Sequence, residues 1–233
     1  MGVEGIKPEN AEPVGQDQQR LGELLIEAQG YVAARQLDMH ATLVGDEVVI
    51  AGHFIVSGVQ GQGPFDSFEI EVRFKSDFPF SEPTMFETAG RIPKIPDRHV
   101  FDGSGRCCTG VWEEAYLNAA VHSVSGFMDV MVNDYLVSQT VFEANASWPY
   151  GERSHGKLGV IEACCDLIGI DHDPKLCIDM MFYLAGLPWK GHHPCMCGSG
   201  DRFRNCHRPH LDSVSQRVPF GVIMSLLNKI RSK

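Results

Sequence analysis

The chain has 233 residues, 43% of them hydrophobic and 21% charged, with a formal net charge of -10. That is enough for one domain of ordinary size plus a small accessory module, with a real apolar core. The acidic balance disfavours direct nucleic-acid binding, which needs clustered Lys and Arg to displace counterions, and no segment approaches the roughly 18 to 20 apolar residues of a membrane span.

The stretch from Met1 to Asn10 lacks an apolar run behind a basic end, so a soluble, unexported, cytoplasmic protein with no membrane partner is expected. Residues 1–15 carry Pro8, Pro13 and three Gly with few large apolar groups, and are expected to form a mobile tail. From Gln16 to Arg35, Leu21, Leu24, Leu25, Ala28, Tyr31 and Val32 recur near helical spacing, which predicts an amphipathic helix. Thr42–Val44, Glu47–Val56, Ser67–Phe74 and Pro83–Thr88 are rich in β-branched and aromatic residues, and their short connections predict an antiparallel meander. Strict alternation over Phe68–Phe74 gives that sheet one buried and one solvated face. Tyr116–Gln139 reads as one second helix, with Leu117, Val121, Val124, Met128, Tyr135 and Leu136 on its apolar stripe. A polar turn over Asn145–Gly156 follows, then short helices over Lys157–Leu167 and Pro174–Leu184, and a closing amphipathic helix over Pro219–Ile230.

The fold class expected is therefore α+β, with an N-terminal helix, a four-stranded antiparallel meander and C-terminal helices. The expected divisions are the tail (1–15), a mixed domain (16–156), a helical extension (157–190) and a small metal-binding module (191–233).

The eight cysteines form two adjacent pairs, the single Cys177 and a C-terminal cluster, a spacing that suits reduced, catalytic or metal-binding thiols better than a disulfide framework. Cys164-Cys165 and Cys177 lie in apolar helical runs and read as plain core. Cys107-Cys108 instead follows a turn-rich loop, where a nucleophile suits. One accessible thiolate can attack an acyl group, hold it as a thioester and release it to an amine. Nearby cations favour the thiolate, and His99, Arg98 and Arg106 are the candidates to supply them. His122 reads as a surface or satisfied histidine.

Pro194-Cys-Met-Cys-Gly-Ser-Gly-Asp-Arg-Phe-Arg-Asn-Cys-His207 carries the clearest pattern in the chain. Cys195 and Cys197 flank a tight turn, Gly198-Ser-Gly200 lets the backbone fold back, and Cys206-His207 completes a closed tetrahedral set for a structural Zn2+. His192, His193 and His210 are alternatives to His207 as the fourth ligand. So small a module has little apolar interior, so the metal is expected to supply much of its folding free energy. Arg202, Arg204, Arg208 and Lys229–Lys233 make this end basic, which suits either a docking surface for an acidic partner or an ordinary solvated face.

The order helix, meander, long loop with cysteine, helix resembles the ubiquitin-conjugating-enzyme fold over roughly Gln16 to Gln139. The residues that carry the resemblance are Phe78-Pro79 and Glu82-Pro83, then His99-Val-Phe101, then Gly105-Arg-Cys-Cys108, then Trp112. Matched to the family's Gly-x-x-Cys, Cys108 is the catalytic thiol and Cys107 its inward-facing neighbour. Phe101 stands where the family carries an asparagine, and the interval to the cysteine is one residue shorter. The oxyanion role is thus open among Asn118, His155 and backbone amides, with His155 favoured by its place between Ser154 and Gly156.

The knuckle likewise resembles the SEC-C metal-binding motif of the preprotein translocase ATPase. Gly105-Arg-Cys-Cys108 and Gly151-Glu-Arg-Ser-His-Gly156 look most like prokaryotic conjugating-type proteins of anti-phage operons, including short cyclic-oligonucleotide signalling systems. The resemblance implies transfer of a ubiquitin-like or other protein C-terminus from a thioester to an amine. It also implies a separate activating enzyme and, in such systems, a nucleotidyltransferase-type target. Two other readings stand beside it: a catalytically silent conjugating-fold binding module, and a zinc-dependent adaptor whose mixed domain is scaffold.

Overall fold

The computed structural model describes residues 14–58, 64–117, 119–149, 151 and 153–231. Most of the expected mobile tail (1–13), part of the β2–β3 loop (59–63) and Asn118 lie outside these. The described chain is α+β: an N-terminal helix, a four-stranded antiparallel sheet and a set of C-terminal helices.

Helix α1 (Val14–Arg35) leads into β1 (Met39–Val44), β2 (Glu47–Ser57), β3 (Pro64–Lys75) and β4 (Thr84–Glu87). The strands pair in sequence order, each antiparallel to the next. Alternation sets the faces: Phe68, Ile70, Val72 and Phe74 of β3 are buried, while Ser67 and Glu69 are exposed. Leu21, Leu24, Ala28, Tyr31 and Val32 of α1 pack on the apolar face and form, with it, the first core. Burying a side chain of this size contributes about 1.5 to 3 kcal/mol.

The expected single helix over Tyr116–Gln139 is broken. Helix α2 (Trp112–Tyr116) stops, a 3-10 turn (Ala119–Val121) intervenes, and helix restarts at α3 (Val124–Gly126). It then runs through a π-helical segment (Phe127–Val132) into α4 (Asn133–Asn145). The break has one local and one distant cause: Ser123 in extended conformation caps the restart by accepting from the Gly126 N–H, and the Glu27 carboxylate of α1 accepts from the Val124 N–H at 2.7 Å. A Cβ at Gly126 would run into the Ala120 carbonyl oxygen, so the 3-10 turn packs against the new helix only because residue 126 is glycine. Asp129 in the π-helical segment accepts from Tyr31 at 3.0 Å and Arg35 at 2.7 Å, tying it to α1.

Helices α5 (Lys157–Ile168) and α6 (Pro174–Leu184) agree with the expected spans, and α8 (Phe220–Arg231) closes the chain. A further helix, α7 (Arg208–Arg217), was not expected; it buries only Leu211 and Val214, too few apolar positions to stand out in the sequence. These four helices share a second core with the cysteine-rich segment, anchored by Phe203, which is fully buried against the Tyr183 ring at 4.9 Å. The two cores meet at α2: Trp112 belongs to the first, while Tyr116 packs against both.

Candidate active site and metal centre

The long loop after β4 folds back on the sheet edge. Arg106 bridges Phe86 of β4, and Cys107 bridges Val100 on the other side. The Cys107 N–H donates to the Met85 carbonyl at 2.8 Å, the Cys108 N–H to the His99 carbonyl at 2.7 Å, and the Phe101 N–H to the Arg106 carbonyl at 2.9 Å. Arg106–Cys108 is thereby held as a short extended segment between β4 and His99–Phe101. Strand alternation does the rest: Cys107 is 4% exposed and faces the first core, while Cys108 faces the other way and is half-buried. Two adjacent thiols therefore receive different surroundings from backbone geometry alone.

The charge around Cys108 differs from the sequence expectation. Burial pushes its thiol up and Glu82 adds to the rise; the Gly110 amide, Arg106 and Lys229 work against it without reversing it. Gly110 has φ +127, a conformation glycine adopts freely, which lets its amide turn toward the sulfur. The Arg98 guanidinium is bonded to Gln139 at 2.7 and 2.9 Å and to Glu143 at 3.3 Å. Arg106 lies over the Phe101 ring at 4.4 Å and pairs with Glu82 at 3.4 Å. Phe101, 39% exposed, thus lends its face to a cation and has no side-chain donor for an oxyanion.

His99 and His155 are brought together. His99 has φ 51 in the left-handed region at the end of a 3-10 turn (Pro96–Arg98), and its ring lies 4.9 Å from that of His155 and 4.7 Å from that of Trp148. Trp148 in turn stacks on Phe142 of α4 at 4.4 Å. His99 is joined to Cys108 through its own carbonyl, and the Tyr135 hydroxyl donates to the Arg98 and His99 carbonyls at 3.3 and 3.4 Å. Asn118, the third oxyanion candidate, lies outside the described residues. His122 is satisfied at the surface by the Tyr116 carbonyl at 2.6 Å.

The C-terminal cluster forms as the spacing predicts. The ligand atoms of Cys195, Cys197, Cys206 and His207 all lie within 4.8 Å of one another, so the four could hold a metal ion. Cys197 and Cys206 sulfurs are 3.6 Å apart, and His207 Nδ1 lies 3.3 Å from Cys195 and 3.2 Å from Cys206. A tetrahedron with ordinary zinc bond lengths has edges of about 3.8 Å between sulfurs and about 3.6 Å from sulfur to nitrogen, so the donor set is compatible with zinc. The turn is built by backbone: Cys195 N–H to the Asp201 carbonyl at 2.8 Å, and Gly198 N–H to the Cys195 carbonyl at 3.1 Å. The Ser199 hydroxyl, helped by its amide and the neighbouring thiols, holds Cys197 down at about 6, a thiol ready to give up its proton to a metal. His210 is not in the cluster; its ring is hydrogen-bonded to the Ile168 carbonyl. Cys164, Cys165 and Cys177 are fully buried.

Sequence reasoning missed a group beside the thiol. Lys229 of α8 pairs with Glu113 of α2 at 2.8 Å and with Glu82 at 3.3 Å, and Glu113 also accepts from the Ser225 hydroxyl at 2.5 Å. Part of the basic C-terminal end is thus spent inside the protein. Glu82 stood next to Pro83 in the proline-framed segment, a usable hint; its partner 147 residues later had none.

No protein-family model, curated protein or solved structure matches the chain. Among the described residues no helix is long and apolar enough to cross a membrane.

Proposed function

We propose that this is a conjugating-type acyl carrier with a ubiquitin-conjugating-like domain, in which Cys108 takes a protein C-terminus as a thioester and passes it to an amine. The observation that carries this reading is the contrast within one dipeptide: Cys108 is only partly buried at the end of a backbone-locked segment, while Cys107 is buried. Cys108 Sγ attacks the carbonyl carbon of a thioester on an activating partner; a new S–C bond forms, and the partner's sulfur leaves with the proton Cys108 gives up. An acceptor amine then attacks the same carbon, an amide bond forms, and the Cys108 sulfur leaves, taking up the proton the amine loses. Activation of the carboxylate belongs to the partner, a separate enzyme.

The raised thiol has two consequences. It keeps free Cys108 mostly protonated at neutral pH, so attack waits for a base or a cation brought close. It also makes Cys108 a poor leaving group, which favours holding the passenger until an amine arrives. With Phe101 in the asparagine's place, the oxyanion role falls in this reading to backbone amides or to His155, whose ring lies 4.9 Å from that of His99.

The Cys195, Cys197, Cys206 and His207 cluster is assigned a resident Zn2+ whose work is structural, because all four places are filled by protein groups. Free thiols throughout and the absence of a membrane-spanning helix among the described residues support a cytoplasmic setting. The passenger is a ubiquitin-like or other protein, and the sequence resemblance supports an anti-phage role with a nucleotidyltransferase-type target.

One observation favours a second reading. The missing donor at Phe101 together with the raised Cys108 thiol suits a silent domain that binds a protein tail without bonding to it. Co-expression of Cys108→Ser with the proteins encoded beside it separates the two. The carrier reading expects an ester-linked adduct that survives reducing agent and is lost on adding alkali, with none on Cys107→Ser. A folded Cys108→Ser protein that co-purifies with its partner and carries no adduct sinks it in favour of the binder.

A further inference from the structure

The C-terminal unit reaches the segments that flank Cys108. Its last helix, α8, carries Lys229 across the boundary between the two cores, to Glu82 at 3.3 Å and Glu113 at 2.8 Å. Both carboxylates belong to the segments that frame Cys108: Glu82 lies just before β4, whose edge holds Arg106–Cys108, and Glu113 lies in α2, five residues after Cys108. Arg106, two residues before Cys108, takes the other side of Glu82 at 3.4 Å. Glu113 is 3% exposed and is further fixed by Ser225 of the same helix.

We propose that Lys229 is a positioning residue for Cys108: with Arg106 it clamps Glu82 from two sides, so the C-terminal unit sets the charge beside the sulfur. This rests on the conjugating reading for its meaning but not for its test. The charged groups that act on the sulfur are Glu82 before β4, neighbouring Arg106 and Lys229 of α8, while Cys107 and Tyr135 of α4 are the titratable groups behind it on the core side. Lys229 stays charged there, because although burial lowers its affinity for the proton, the two carboxylates more than offset that. Its field opposes that of Glu82 at the thiol. Take Lys229 away and Glu82 is left to a single cation, with its negative charge less compensated where a thiolate must form. The position also explains why the second unit is joined to the first by a charged pair: loosening α8 would be felt at the thiol.

The test is the rate at which iodoacetamide alkylates Cys108 in the full-length, zinc-loaded protein, followed on the Cys107–Cys108 peptide by mass spectrometry across pH. Lys229→Met slows alkylation near neutral pH by about five- to tenfold and leaves the alkaline plateau unchanged, a displacement approaching one unit in the profile. Lys229→Arg stays within about twofold of the parent. Glu82→Gln moves the other way, accelerating alkylation by about two- to fivefold. Opposite signs for Lys229→Met and Glu82→Gln are what a charge effect requires; a merely structural clamp would shift both the same way. A Lys229→Met profile that superimposes on the parent, or variants that shift together, overturns the proposal. Should Lys229→Met fail to fold, Lys229→Gln takes its place in the same comparison with Glu82→Gln. No partner protein is needed, so a displaced profile without any transfer activity would remove the carrier reading and leave this one standing.

Discussion

Cys108 and Cys197 are both half-buried thiols beside a turn, yet their surroundings drive them in opposite directions. Cys108 is pushed up by burial and by Glu82, with cations that only partly compensate. Cys197 is held down at about 6 by Ser199 and a crowd of further donors. The difference follows from what builds each region. The first unit is a sheet whose edge fixes the Cys108 segment mainly through backbone hydrogen bonds. The second is a bundle of short helices around a turn whose close gathering of soft ligands makes sense as a metal site. On the proposed reading, a thiol serves as a carrier or as a ligand according to whether backbone or metal holds its neighbourhood together.

The largest expected break in that comparison is at the ligands. Cys206→Ala should abolish stoichiometric metal, seen by elemental analysis, and unravel the second core, seen as loss of helical circular dichroism, because structural metal binding carries on the order of 10 kcal/mol of folding free energy. The sheet unit should keep its near-ultraviolet signal from Trp112. Full metal retention would mean the ligand set is wrong.

A smaller effect belongs to the sheet unit. Arg91, at 2.7 and 2.8 Å, holds the Asp66 carboxyl down at about 2, with burial opposing and the Thr140 hydroxyl assisting. A depressed carboxyl stabilises the fold above its unfolded value near 4, and that stability drains as pH falls from there toward about 2. Asp66→Asn should therefore cost about 1 to 2 kcal/mol at neutral pH and flatten the acid limb of the stability curve, read by urea unfolding. An unchanged acid limb would show that the pair does nothing. The smallest expected effect is Cys108→Ser, which should leave the metal content untouched and cost about 1 kcal/mol or less, since only one half-buried atom changes.

Much of the fold was legible because it rests on local period. The stripe of α1, the alternation of β3 and the apolar runs of α5, α6 and α8 all stand in the sequence and in the structure. Where the period was weak, reading failed. Helix α7 shows only Leu211 and Val214 to the core, and the break before Val124 depends on Glu27, 97 residues away. Strand β1 begins at Met39, three residues before the run that betrayed it, because its first half is defined by pairing with Gly52 and Ala51. The metal cluster was readable for the same reason as the helices: its four ligands lie within thirteen residues of chain, Cys195 to His207. The setting of Cys108 was only half readable. The turn-rich loop gave its position, but its burial and the Glu82–Lys229 pair beside it arise only when the folded chain brings distant residues together.

The central claim is that the Cys108 sulfur carries an acyl passenger, and the most direct measurement is a mass spectrum of the unreduced full-length protein isolated from cells that also make its partners. The account predicts a protein adduct mapped to Cys108 and released by neutral hydroxylamine, whereas the ester adduct on Cys108→Ser survives the same treatment. A free Cys108 thiol in protein that is nevertheless conjugating its partner would contradict it.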